Sequence, residues 1–163
     1  MIALKKGQAS TLVYEDLKTK RRFKVIYNPT YVTKTVNQKP DNVISFIDEN
    51  DDKEYMFIFD AKYKIDTTQD YINKYKGVGP KEEDINTMHR YRDAIVRENK
   101  ESGEYERVVL GAFVLFPYKY EEKFKEHDFS KSCEEMGIGA IPFLPSINLF
   151  ENFLEDTISN NIG

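Results

Sequence analysis

Asp41, Asp60 and Lys62 are the residues of this chain whose types and spacing can do chemistry together. They belong to Pro40–Ile65, PDNVISFIDENDDKEYMFIFDAKYKI. Asn42–Asp48 and Glu54–Tyr63 are rich in Val, Ile, Phe and Tyr, as strands require. Glu49-Asn50-Asp51-Asp52 between them predicts a four-residue hairpin loop. With that loop, Asp48 faces Lys53 and Asp41 faces Asp60. Directly opposed side chains have Cβ atoms about 4.5–5.5 Å apart, so two carboxylates are expected side by side at the open end of the hairpin. Strand side chains alternate, which puts Lys62 on the same face as Asp60.

Two adjacent carboxylates repel each other, and one normally takes up a proton. A divalent cation removes the conflict, and carboxylate oxygens suit hard ions such as Mg²⁺ or Mn²⁺. Such an ion polarises a phosphate and lowers the pKa of a bound water. A nearby lysine can hold the attacking water or offset charge on the phosphorus. The set is that of a metal-dependent phosphodiesterase. Taken alone, an Asp–Lys pair at a strand end is equally a surface salt bridge, and Asp41 after Pro40 equally a turn residue.

Pro40-Asp41, an apolar strand and then Asp60-Ala61-Lys62, with eighteen residues between the aspartates, resemble the PD-(D/E)XK nuclease motif. The order DAKYKI, Asp84–Ile95 (DINTMHRYRDAI), Val109–Tyr118 (VLGAFVLFPY) and Gly137–Ser146 (GIGAIPFLPS) resembles the nuclease part of McrC-like restriction proteins, over Thr11–Leu154. The resemblance implies a restriction-endonuclease-like fold and Mg²⁺- (or Mn²⁺-) dependent hydrolysis of DNA in a bacterial restriction or defence system. It implies Asp41, Asp60 and the Ala61 carbonyl as metal ligands, with Lys62 orienting or activating the water. It draws candidate DNA or site-support groups from the following helix: Asn86, His89, Tyr91 and Arg92, which are otherwise ordinary polar residues of a core helix. An NTP-driven restriction subunit and a homodimer are implied partners. Relatives carry a helix before the first strands, often with an acidic residue. The chain has no room for it, so a C-terminal piece of a longer protein is expected, with Glu15 available to replace that acid. The alternative is a catalytically inactive nuclease-like subunit that binds DNA or serves assembly. A small-molecule hydrolase, the third reading, calls for a deep pocket.

The length of 163 residues fits one domain with a sizeable core. Acidic residues outnumber basic ones, 28 to 24, and the net charge of -4 argues against holding DNA by bulk charge. Any contact must come from a local patch or another domain. The cluster Lys18, Lys20, Arg21, Arg22 and Lys24 is either a solvated hairpin tip or a phosphate-contacting arm, with Lys20 and Arg21 at its centre. A single cysteine, Cys133, cannot form an internal disulfide, which favours a reducing, cytoplasmic setting. The longest apolar run, Val108–Pro117, is too short to span a membrane, and Met1–Lys6 lacks the apolar core of a secretory signal.

The remaining elements must position the trio. Residues 1–10 read as a lead-in, and Thr11–Asp16 and Arg22–Tyr27 as two strands. Asn28–Lys39, with Pro29, is a loop delivering the chain to Pro40. Both faces of the central hairpin are largely apolar, so helices must cover the sheet on both sides: an α/β (α+β) layer fold, with a mixed sheet by resemblance. Thr67–Tyr75 predicts a short helix. Pro80 opens the longest one, Lys81–Glu98, with Ile85, Met88, Tyr91 (or Arg92) and Ile95 as its buried stripe. Lys100–Glu104 is a turn, Val108–Phe116 a buried strand, Pro117–Asp128 a helix start or flap, and Gly137–Leu144 a last strand. Ile147–Ile158 closes the chain as an amphipathic helix. His89 and His127 lack partners at zinc spacing. No GxSxG or GK[ST] string is present, and Gly137-Ile138-Gly139 lacks the third glycine of a dinucleotide fingerprint.

Overall fold

The two apolar runs around Glu49–Asp52 pair in the expected register. Strands β3 (Asn42–Asp48) and β4 (Lys53–Ala61) are antiparallel, with Asn42 opposite Phe59 and Asp48 opposite Lys53. Side chains close the loop: Asn50 N donates to Asp48 Oδ1 at 2.7 Å and Lys53 N to Asp51 Oδ1 at 3.0 Å. Asp52 takes the left-handed conformation, one that Asp tolerates better than most residues. The computed structural model describes residues 9–17, 20–145 and 148–161. The sequence readings on residues 1–8, Lys18 and Ile147 lie outside them.

Strands β1 (Ser10–Glu15) and β2 (Arg22–Tyr27) extend the hairpin on one side, all antiparallel. The chain then forms β5 (Ile65–Asp66), helix α1 (Gln69–Tyr75), β6 (Gly79–Pro80), α2 (Glu82–Ala94), and a small hairpin of β7 (Val96–Glu98) and β8 (Tyr105–Arg107). It returns as β9 (Val109–Phe116), parallel to β4. Short α3 (Glu121–Phe124), α4 (Asp128–Met136), β10 (Ile138–Pro142), parallel to β9, and α5 (Leu149–Asn161) complete it. The six-stranded order is β1-β2-β3-β4-β9-β10, a central mixed sheet.

Strand β4 lies inside this sheet, and its run Met56–Asp60 is buried throughout. On one face, Val43, Met56 and Ile58 pack beneath Ile85, Met88 and Tyr91 of α2. On the other, Phe57, Phe59 and Phe113 meet Phe150, Phe153 and Leu154 of α5. Burying one such side chain contributes about 1.5–3 kcal/mol. The layered α+β architecture read from two apolar ribbon faces is therefore present. Among the described residues, no helix is long and apolar enough to cross a membrane.

Several boundaries differ from the sequence reading. Strand β4 runs Lys53–Ala61 instead of Glu54–Tyr63, so Lys62 and Tyr63 follow the strand. Helix α2 starts after Pro80, which pairs in β6, and ends at Ala94 instead of Glu98. The C-cap Ile95 is extended, and Val96–Glu98 pair with Tyr105–Arg107, where Arg97 meets Glu106 at 3.2 Å. Tertiary pairing outweighs helical propensity there. Helix α4 was unanticipated. Its N-cap is His127, an uncommon cap, whose Nδ1 accepts from Phe129 N at 3.0 Å; its C-cap Gly137, read as the start of a strand, is left-handed. Burial pushes the His127 pKa down to about 4, so the ring is neutral with its proton on Nε2.

Helix α4 and β10 approach closely at Gly139. A Cβ there would overlap the Phe129 carbonyl oxygen and the Cys133 sulfur. Gly139→Ala is expected to lower Tm by about 3–10 °C, the effect of roughly 1–3 kcal/mol of overpacking in a chain of this size. Thermal melting followed by circular dichroism checks it. An unchanged Tm would mean that α4 is not seated on β10 in this way.

Candidate active site

Asp41 precedes β3 directly. Asn28 N donates to its carbonyl at 2.8 Å, carrying the β2–β3 ladder one residue past Asn42. The loop that delivers Asp41 is tied down twice. Tyr31 and Gln38 exchange backbone hydrogen bonds of 2.8 and 3.0 Å. Buried Gln38 accepts from Arg90 Nε of α2 at 3.2 Å, and the Tyr91 hydroxyl lies 3.4 Å from the Lys39 carbonyl. Pro40, itself fully buried, then fixes the backbone entering the site.

Asp60 lies inside β4, opposite Val114 of β9, and is 1% exposed. The two carboxylates hold each other through the backbone. Asp41 N donates to Asp60 Oδ1 at 3.2 Å, and Ala61 N donates to Asp41 Oδ2 at 3.0 Å. Lys62, whose N donates to the Leu115 carbonyl at 2.8 Å, brings its ammonium 2.8 Å from Asp60 Oδ2. Asp60 Oδ2 is buried, and its charged partner is that ammonium.

The electrostatics follow from this crowding. Burial, then the hydrogen-bonding contact and charge of Asp60, push the Asp41 pKa up to about 6 against the opposing pull of Ala61 N and Lys62. Burial works against the Lys62 ammonium, but Asp60, Asp41 and Asp84 outweigh it and raise its pKa. Burial and then the charges of Asp60 and Asp41 push the Tyr91 phenol up.

The expected residues therefore divide by place. Asp41, Asp60, Ala61 and Lys62 come together, and Tyr91 joins them from α2. Asp84, seven residues before Tyr91 and on the same helix flank, is near enough for its charge to act on Lys62. In the sequence Asp84 is one of the acids in the first turn of α2, with Glu82 and Glu83, and its spacing from Tyr91 is the signal that sets it apart. Asn86 and His89 are exposed elsewhere on α2, and Arg92 donates to the Met136 carbonyl. Lys20 and Arg21 lie at the opposite end of the sheet. Six residues of strand rise separate Arg21 from the level of Asn42, roughly 20 Å. There they pair with Glu15 and Glu49 beside a groove of about 520 Å³. Glu15 bonds Arg22 at that same end, so it does not supply an acid to the carboxylate pair.

The donor set fits a hard divalent ion: two carboxylates are forced together, and one of them is buried beside a lysine ammonium. Among the described residues, no group of three or more His, Cys, Asp or Glu side chains is arranged to hold a metal.

Because the native state holds a proton on Asp41 up to about pH 6 and an unfolded Asp releases it near 4, this group favours the fold at low pH. Its contribution is lost as pH rises through 6. In the metal-free protein, Asp41→Asn should gain Tm relative to the parent as pH rises from 4 to 7. A Tm difference independent of pH, measured in chelator, would contradict this proximity.

The model of the PD-(D/E)XK nuclease superfamily matches residues 1–121. Comparisons with curated proteins and with solved structures return no match. The matched stretch contains the carboxylate pair, the lysine, β4 and α2, set in a mixed sheet flanked by helices; the chain belongs to the PD-(D/E)XK nuclease superfamily.

Proposed function

We propose that this chain hydrolyses DNA phosphodiesters as an endonuclease, with Mg²⁺ or Mn²⁺ held by Asp41, Asp60 and the Ala61 carbonyl. The observation that carries the proposal is the reciprocal clasp of the two aspartates, with the Lys62 ammonium 2.8 Å from buried Asp60 Oδ2. A bound divalent ion supplies a water of lowered pKa and a polarised phosphate. Lys62, kept protonated by the carboxylates around it, acts as a donor and not as a base. Its ammonium orients the attacking water toward phosphorus and offsets the charge that gathers on the phosphoryl oxygens as the sugar oxygen departs. Tyr91 and Gln38 are positioning residues, since they hold the backbone that presents Asp41.

The finer reading assigns the chain to McrC-like proteins of a bacterial restriction or defence system, acting in the cytoplasm. It is supported by the ordered segments Asp60–Ile65, Asp84–Ile95, Val109–Tyr118 and Gly137–Ser146. An NTP-driven subunit would then control cutting, and a homodimer would cut both strands.

Cleavage of plasmid and linear DNA with Mg²⁺ or Mn²⁺ tests the proposal. Asp60→Ala and Lys62→Ala should each lower the rate by about 100-fold or more, the scale of losing one transition-state charge contact. Calorimetry should find Mn²⁺ binding lost in Asp60→Ala and kept in Lys62→Ala. No cutting together with no Asp60-dependent Mn²⁺ binding would leave the inactive assembly subunit.

Protons compete with metal at Asp41. Mn²⁺ affinity is therefore expected to fall about ten-fold per pH unit below about 6 and to level off above it. Calorimetric titrations across that range check the trend.

A further inference from the structure

Three neighbouring strands end beside the candidate site, and each releases an exposed aromatic ring. Lys62-Tyr63-Lys64 follows β4, Tyr118-Lys119-Tyr120 follows β9, and Phe143 follows β10. The ends are stitched together: Lys62 N donates to the Leu115 carbonyl and Phe143 N to the Phe116 carbonyl, both at 2.8 Å. Adjacent strands are about 4.8 Å apart, so three strand ends span roughly 10 Å. Tyr63 is 85% exposed, Tyr120 54% and Phe143 46%. Scattered exposed aromatics are ordinary, but exposed rings released from neighbouring strand ends at one edge of a sheet form a candidate binding surface; of these, Phe143 packs on Phe150 of α5 at 5.0 Å and Tyr120 on Tyr118 at 5.6 Å. Lysines interleave the row. Lys62 and Lys64 flank Tyr63, and the Lys119 ammonium lies 4.8 Å from the centre of the Tyr120 ring.

Rings and lysines in alternation match one polymer. Single-stranded nucleic acid offers base faces to aromatic rings and phosphates to ammonium groups; a duplex offers its phosphates and hides its base faces in the stack. The carboxyl ends of parallel strands are also where open sheets carrying helices bind their ligands.

We infer that single-stranded DNA runs across the ends of β4, β9 and β10, stacking bases on Tyr63 and Tyr120 while Lys64 and Lys119 take its phosphates. The path passes Lys62 and so delivers a phosphodiester to Asp41 and Asp60. The inference rests on the nuclease reading above and deepens it. The substrate is DNA with an unpaired strand, such as a flap, a frayed end or a displaced strand. The acidic net charge is compatible with this, because stacking supplies affinity that bulk charge does not.

The chain contains no tryptophan, so Tyr63→Trp places a single indole on the proposed path. In an Asp60→Asn background, which spares the substrate, a short oligothymidylate should quench the indole, and a blunt duplex should not. Tyr63→Ala, in that background with anisotropy of labelled DNA as readout, should weaken single-strand binding about ten-fold and leave duplex binding unchanged. Tyr63→Phe should keep the affinity, since the ring remains. Oligothymidylate that binds without quenching, or a duplex that binds and quenches equally, would overturn the inference. Duplex cutting by the parent chain that is indifferent to Tyr63→Ala would remove the single-strand preference alone. Absence of both binding and cutting for every DNA would remove the nuclease reading with it.

Discussion

Two backbone N–H groups hold two carboxylates against each other at the end of the β3–β4 hairpin, Asp41 N on Asp60 Oδ1 and Ala61 N on Asp41 Oδ2. Each aspartate is thus fixed by the main chain of the other strand, and rotation of either side chain breaks a bond that its neighbour needs. The arrangement is costly, because a buried ion without full compensation is disfavoured by several kcal/mol. Lys62 offsets part of that cost through its ion pair with buried Asp60. The site is therefore the place where the fold spends stability to hold a geometry, as functional sites often do.

The rest of the domain makes that geometry sustainable. Phenylalanines fill one face of β4 and aliphatic side chains the other, so the strand carrying Asp60 is clamped from both sides. Helix α2 packs its apolar stripe on the sheet, then uses the flank of that stripe to bring Asp84 and Tyr91 to the carboxylates. The loop before Pro40 is anchored on the same helix through Gln38 and Arg90. One helix thus sets the positions of both the entering backbone and the surrounding charges.

How much of this could be read in advance depended on whether the information was local. The hairpin register follows from loop length and alternation alone, so the facing of Asp41 and Asp60 was legible, as were the two-sided burial of β4 and the place of α2. Parallel pairing of β9 with β4 joins residues far apart in the chain, and no local pattern encodes it. Helix α4 was illegible for another reason. Its cap is a histidine, its ending glycine looks like the start of a strand, and close packing of Gly139 on Cys133 supplies what propensity does not. Arg21 and Lys20 were assigned by composition, and composition carries no information about which end of a sheet a hairpin tip will occupy. Asp84 was hidden among the first-turn acids, where the helix dipole already accounts for a carboxylate.

The anchoring of the carboxylates within one hairpin has a consequence for how the molecule forms. A hairpin closed by a short loop assembles in microseconds, whereas pairing β4 with β9 must first close a long crossover connection. In that order, Asp41 and Asp60 meet while water still surrounds them, and the penalty for their mutual repulsion falls on the later step, when β9 and α2 arrive and exclude solvent. The repulsion of the two carboxylates is therefore expected to slow the final docking of the domain. Whatever lowers the repulsion within the hairpin, a proton on Asp41 included, eases that last step.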